Sequence, residues 1–162
     1  HIRKFSPEVA SNISGMLFWG WIFGSPLVGY IAEYVPNKRL MLMVGSCACV
    51  IILGLIIYTP ITSLYGLMAA MFALGLFSST EILVFDIATH ISKKSHAGTA
   101  VAITNMIVML GGSLQSVIGL IIESHSVEGQ VFTEQGFQVA FMIMPVLCLL
   151  AILTTLMMKE TR

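Results

Sequence analysis

Charged residues divide this chain into long uncharged blocks. Residues 9–32 hold no Asp, Glu, Lys or Arg over 24 positions, and residues 40–80 hold none over 41. A helix needs roughly 20 residues to cross a hydrocarbon core of about 30 Å, so the first block makes one span and the second nearly two. Thr59, Pro60, Ile61, Thr62 and Ser63 divide the second block, because proline has no backbone donor and hydroxyl side chains favour turns. Two further apolar blocks follow, the last with Pro145 at mid-depth, where a bilayer protein tolerates a kink. The pattern predicts five transmembrane helices, at residues 11–33, 40–58, 64–90, 95–122 and 135–158. Membrane strands are set aside, since they alternate polar and apolar positions over segments of about ten residues and these blocks do not.

Composition agrees. Of 162 residues 57% are apolar and 10% charged, with a mean hydropathy of +0.93, whereas soluble domains carry about 25% charged residues. A water-soluble globule is excluded. Eight acids cancel eight bases, which leaves no basic stripe for nucleic acid and no solvating acidic tail. Three cysteines, all within apolar stretches, make no disulfide framework. Cys47 and Cys49 stand on nearly opposite faces of one helix and cannot chelate a single metal. The eleven methionines are scattered as pliable core filler. No metal or cofactor is expected. Residues 1–8 lack the apolar core of a signal peptide, and with His1 in first place the chain reads as a piece of a longer protein.

The remaining charges set the topology. Lys38 and Arg39, Lys93 and Lys94, and Lys159 with Arg162 all fall on one side of a five-helix zigzag, which the positive-inside rule makes cytoplasmic. On the other side residues 59–63 are uncharged, and residues 123–135 carry three Glu and no Lys or Arg. Only Arg3 and Lys4 fall on the wrong face.

Residues 29–39 form the first cytoplasmic turn. Read plainly, their charges obey the positive-inside rule. Gly29, Glu33, Lys38 and, one position beyond, Arg39 also match the pattern G-x-x-x-D-R-x-G-R-R, with Tyr34 in place of the usual base and Pro36 in place of the usual glycine. That loop resembles the signature of the major facilitator superfamily. The resemblance implies that the acid and bases latch the cytoplasmic ends of neighbouring helices and that the glycine permits close approach. Such pairing breaks when a bundle rocks.

The fourth block carries Gly98, Thr99, Ala100, Asn105, Gly111, Gly112, Gln115, Ser116 and Gly119. On one continuous helix Gly98, Asn105, Gly112, Ser116 and Gly119 fall in a sector about 60° wide. A small, polar stripe of this kind faces either a close-packed partner helix or an aqueous path. It is similar to helix eleven of bacterial permeases in the same superfamily. The third span has no Lys or Arg and the chain stops soon after its last span. Both features favour helices eight to twelve of the twelve-helix fold over helices two to six, with the N-terminal half outside this chain. In that resemblance the first and third spans help line the central path, the fourth packs beside it, and the second and fifth lie outermost.

Chemistry, if present, belongs to the third span. Glu81 precedes Lys93 by twelve residues, which places it ~18 Å along the axis and well inside the hydrocarbon. Asp86 lies ~10 Å from Lys93, near the headgroups, with His90 at the cytoplasmic end. Glu81 and Asp86 diverge by about 140° around the helix and form no carboxylate pair, whereas Asp86 and His90 differ by about 40°. Apolar residues of this span contribute roughly −3 to −7 kcal/mol to insertion, and a central acid costs about +2.5 to +3.5 kcal/mol. The helix tolerates Glu81 without gaining from it. With no base at matching depth, its carboxyl is protonated, faces a wet cavity, or pairs with the absent half; the bland alternative is a hydrogen-bonded acid at a helix crossing. On the first span Asn12, Trp19 and Glu33 share a sector of about 60°; Trp19 lines a substrate cavity or packs on a neighbour. Gly20 and Gly24 form a small-xxx-small pair suited to packing.

The sequence therefore reads as an all-α membrane protein, five helices of a twelve-helix transporter fold. The expected activity is secondary transport of a small solute by alternating access, proton-coupled symport in a bacterial inner membrane. Its candidate path residues are Glu81, Asp86, Asn105, Gln115, Asn12 and Trp19, and its gating loop Gly29, Glu33, Lys38 and Arg39. Its partners are the solute, the lipid bilayer and the missing half. The alternative is a non-transporting multipass scaffold. An intramembrane enzyme is disfavoured, because the Gly-x-Ser-Gly and Gly-x-Gly-Asp patterns of intramembrane proteases are absent.

Overall fold

A computed structural model describes residues 6–35, 37–59, 61, 63–124 and 134–158. Arg3, Lys4, Pro36, Pro60, Thr62, Lys159 and Arg162, and residues 125–133 of the acidic loop, lie outside the described residues. Among the described residues all regular structure is helical, as the pattern requires. The α-helices are α1 (Pro7–Tyr34), α2 (Lys38–Tyr58), α3 (Leu64–Ser78), α4 (Ile82–Ile91), α5 (Ala97–Gly111), α6 (Leu114–Ser124), α7 (Glu134–Phe141) and α8 (Ile143–Met157). Single 3₁₀ turns at Ser79–Glu81 and Lys94–His96 join α3 to α4 and lead into α5. Grouped as spans, Pro7–Tyr34, Lys38–Tyr58, Leu64–Ile91, Lys94–Ser124 and Gln135–Met157 are five helices long and apolar enough to cross a membrane.

Local chemistry sets the helix ends. Ser6 caps α1, its Oγ accepting from the Val9 amide at 3.4 Å, with Pro7 in the first turn. The Asn37 side chain caps α2 through the Leu40 amide at 2.9 Å, and Ser63 caps α3 through the Gly66 amide at 3.3 Å. In the fifth span helix formation lapses at Met142, between α7 and α8. Pro145 explains this: it has no N–H for the Phe141 carbonyl and its ring crowds that group.

The chain forms two compact units, residues 1–80 with 141–162, and residues 81–140. In the first unit α1 packs on α3, and α2 packs on α3 and α8. Glycines make the closest approaches. A Cβ on Gly20 would collide with the Phe72 carbonyl and lie 2.8 Å from the Leu76 nitrogen; one on Gly75 would collide with the Leu17 carbonyl and lie 3.1 Å from the Gly20 Cα. Gly24 meets Ser79 and Leu76 in the same way. Contacts therefore climb both helices together, so α1 and α3 run parallel, as first and third members of a zigzag must. Gly45 lets α2 reach Thr80 and Phe77. Such seams suit a bilayer, where lipid tails are as apolar as leucine and close backbone packing drives association.

Between α2, α3 and α8 lies a core of Cys49, Leu53 and Leu74, against which Leu17, Met71, Phe77 and Cys148 pack. Cys47 is exposed and Cys49 buried, on opposite faces as their spacing requires. Phe18, Ile51 and Leu153 remain largely exposed, as lipid-facing side chains do. One consequence is checkable by cross-linking. In the full-length protein with its other cysteines replaced, a short membrane-permeant bifunctional thiol reagent should join Cys49 to Cys148, holding together fragments cut at a protease site inserted among residues 125–133. Cys47 with Cys148 should not be joined. Failure of the first pair would refute the packing of α2 on α8.

In the second unit α4 packs on α5, and the 3₁₀ turn Lys94–His96 packs on α5 as well. Leu83 and Ile87 of α4 and Ile118 of α6 are buried.

Candidate functional site

The third span is interrupted where its acid lies. Three successive hydroxyls turn back on the helix: Ser78 donates to the Gly75 carbonyl at 3.1 Å, Ser79 to Leu76 at 2.6 Å and Thr80 to Phe77 at 2.8 Å. Hydroxyls bonded this way compete with the regular ladder and bend helices, and the chain tightens into the 3₁₀ turn Ser79–Glu81. Mid-helix 3₁₀ turns mark hinges or strained sequence. Ser79 is fully buried, and Glu81 ends the turn with an exposed side chain. Glu81 stands ten residues before Ile91, the end of the span, hence ~15 Å along the axis. Among the described residues no hydrogen bond or ion pair reaches its carboxylate.

One helical turn beyond, Asp86 engages His90. The imidazole Nδ1 lies 3.1 Å from the Asp86 carboxylate and 3.0 Å from its carbonyl oxygen, which also accepts from the Thr89 hydroxyl at 2.8 Å. Sequence reasoning placed the two 40° apart without pairing them; the i,i+4 spacing was the available signal. Glu81 takes no part in this pair.

The small, polar stripe of the fourth span is corrected. The helix does not run continuously from Gly98 to Gly119: it breaks at Gly112 and Ser113, where bonds of the i→i+3 type replace the α pattern, Gly112 to Met109 at 3.0 Å and Ser113 to Leu110 at 3.1 Å. Counting 100° per residue fails across such a break. Gly98 and Asn105 still share a face of α5, and Ser116 lies with Gly119 on α6. Asn105 and Gln115 are exposed, and a Cβ on Gly98 or Gly119 would meet nothing within 4 Å.

On α1, Asn12, Trp19 and Glu33 are all exposed. The Trp19 ring stacks on Phe23 with centroids 6.1 Å apart and planes 23° from parallel, and Phe23 lies 6.4 Å from Phe72 of α3. Phe23 and Phe72 were not singled out in the sequence; the i,i+4 relation to Trp19 pointed to the first, and nothing local pointed to the second.

In the signature loop, Lys38 and Arg39 open α2, and Glu33 lies in the last turn of α1. The Arg39 guanidinium donates to the Leu156 carbonyl at 2.7 Å, tying the start of α2 to the end of α8. With Cys49 beside Cys148, this makes α2 and α8 antiparallel. The close approach implied for Gly29 is not made among the described residues, since a Cβ there meets nothing within 4 Å; the tight glycines are Gly20, Gly24, Gly45 and Gly75.

Neither a curated protein nor a solved structure matches the chain. The sequence model of the Major Facilitator Superfamily does, over residues 1–162. With five apolar helices and a signature-like loop, this integral membrane chain belongs to the Major Facilitator Superfamily, a family of transporters.

Proposed function

We propose that the chain is the greater part of the C-terminal half of a secondary transporter that moves a small solute by alternating access in a bacterial inner membrane. Transport is coupled to protons, as symport, through Glu81. The observation that carries this reading is the Glu81 carboxyl, deep within the third span at a 3₁₀ turn, with no described basic partner. A carboxyl in such a place is functional by default, because keeping it there is costly. Protonation lets it change charge between two arrangements of the path, and the turn beneath it offers a point where the span bends. Asp86, Asn105, Gln115, Asn12 and Trp19 add polar and aromatic groups to the path, and Gly29, Glu33, Lys38 and Arg39 form the cytoplasmic gating loop.

The test uses the full-length protein in proteoliposomes, with a labelled solute found active by screening. One pH unit is worth 1.36 kcal/mol, so a one-proton mechanism sustains a solute gradient of up to about tenfold per unit. Glu81→Gln should abolish that gradient while solute counterflow persists, since exchange needs no net proton movement. A variant that still builds the gradient would remove Glu81 from the coupling.

A further inference from the structure

We propose that Cys49 of α2 and Cys148 of α8 form a two-thiolate site for a soft, two-coordinate divalent metal ion, with mercuric ion as its ligand. The inference needs only the packing of α2 on α8 and is independent of the transported solute. Cys49 is buried, with 6% of its surface open, and Cys148 packs against the core that Cys49 shares with Leu53 and Leu74. The two thiols are close enough for the charge of one to act on the other. A second contact fixes the same register. Arg39 donates to the Leu156 carbonyl; Cys49 lies ten residues beyond Arg39 and Cys148 eight before Leu156, hence ~15 Å and ~12 Å from that tie along two antiparallel helices. The reach of the arginine side chain covers the difference, and the two sulfurs stand at matching depth. Cys47 and Cys49 cannot share an ion within α2; the second sulfur arrives from α8.

Donor type and charge choose the ion. Thiolate sulfur is soft and selects soft metals over magnesium, calcium or manganese. Zinc calls for four donors in a tetrahedron, whereas the other side chains gathered here include Leu17, Ile52, Leu53, Leu74 and Phe77. A linear ion needs only two sulfurs that face each other across a helix interface. Each thiolate carries one negative charge, so a divalent ion between two of them is neutral. A monovalent soft ion on the same pair would leave one negative charge among apolar groups, which is costly. Mercuric chloride reaches the site through lipid as a neutral molecule. There two Hg–Cl bonds break, two Hg–S bonds form, and two protons leave with two chlorides; no electron is transferred.

The test uses two versions of the full-length protein, one whose only cysteines are Cys49 and Cys148 and one whose only cysteines are Cys47 and Cys148, with alanine at the other cysteine positions. Both carry the same number of thiols, and Cys47 is exposed, outside the core. Each is loaded in detergent with one equivalent of radiolabelled mercuric chloride and dialysed against increasing concentrations of mercaptoethanol. The first should hold its ion to about 100-fold higher monothiol than the second, because a second thiol fixed beside the first acts as a high local concentration. In unbuffered solution, loading should release two protons per ion from the first protein and one from the second. Zinc chloride under the same dialysis should be retained by neither. Matching size-exclusion profiles show that both are folded, and the proton count on the first protein stands without the second. Equal stripping of the two proteins, one proton per ion from the first, or zinc held as firmly as mercury would overturn the site.

Discussion

Gly20→Ala and Gly75→Ala should lower the melting temperature of the full-length protein, although each replaces the second-worst helix former with the best. On helix propensity alone the change should stabilise by about 1 kcal/mol. Here the added methyl has nowhere to go. At Gly20 it runs into the Phe72 carbonyl, and at Gly75 into the Leu17 carbonyl with the Gly20 Cα 3.1 Å away. The obstructing atoms are backbone, which cannot rotate aside as the tip of a long side chain would, so α1 and α3 must separate. Overpacking of this kind costs about 1–3 kcal/mol, which exceeds the propensity gain, and a bilayer gives separated helices no hydrophobic reason to rejoin. Gly75→Leu should therefore leave little folded protein. Gly54→Ala and Gly29→Ala are the opposite case, since nothing lies within 4 Å of either added carbon, and both should hold or raise the melting temperature. Thermal scans read by size-exclusion chromatography check the sign. A rise in Gly20→Ala and Gly75→Ala equal to that in Gly54→Ala would show that the seam does not exist.

What the sequence made legible follows from which signals are local. Spacing of charges sufficed for the five spans, because bilayer thickness turns residue counts directly into structure. Gly20 and Gly24 were readable as a packing pair, since four-residue spacing puts both on one face whatever their partner. Their partner Gly75 was not, because which helix faces them depends on the whole bundle. Breaks within spans were readable only where proline supplied a cause: Pro145 signalled a kink, whereas the interruptions at Ser79–Glu81 and at Gly112 come from hydroxyls and glycines that ordinary membrane helices also contain. That second break undid the stripe of the fourth span, since an angular count holds only within an unbroken helix. At the candidate site, the position of Glu81 along its span needed only the 1.5 Å rise. The Asp86–His90 pair needed side-chain directions, and the link from Phe23 to Phe72 needed the tertiary contact itself. The signature loop was recognised by type, yet the partner of Arg39, 117 residues away, was beyond any local rule.

That partner makes Arg39→Gln loosen the end of the fifth span. The last four carbonyls of a helix lack partners within it, and Leu156 is among those of α8. Arg39 supplies one, and its positive charge meets the negative end of the α8 dipole. Hydrogen bonds from charged donors contribute about 1.5–3 kcal/mol; because Arg39 is only partly buried, solvent holds this one toward the lower end. A loss of about 1–2 kcal/mol raises the open population of the last turn roughly 5- to 30-fold. Amide exchange of Thr155, Leu156 and Met157 in the reconstituted full-length protein should accelerate by that factor, with exchange in α1 unchanged. Arg39→Lys keeps the charge and loses the planar fork that reaches the carbonyl, so it should recover only part of the protection. The two substitutions separate dipole from hydrogen bond: full protection in the lysine variant assigns the effect to charge alone, and wild-type exchange in Arg39→Gln would mean that Arg39 does not hold α8. In the first case any cation at the start of α2 would serve the loop; in the intermediate case the arginine itself is what joins the second span to the fifth.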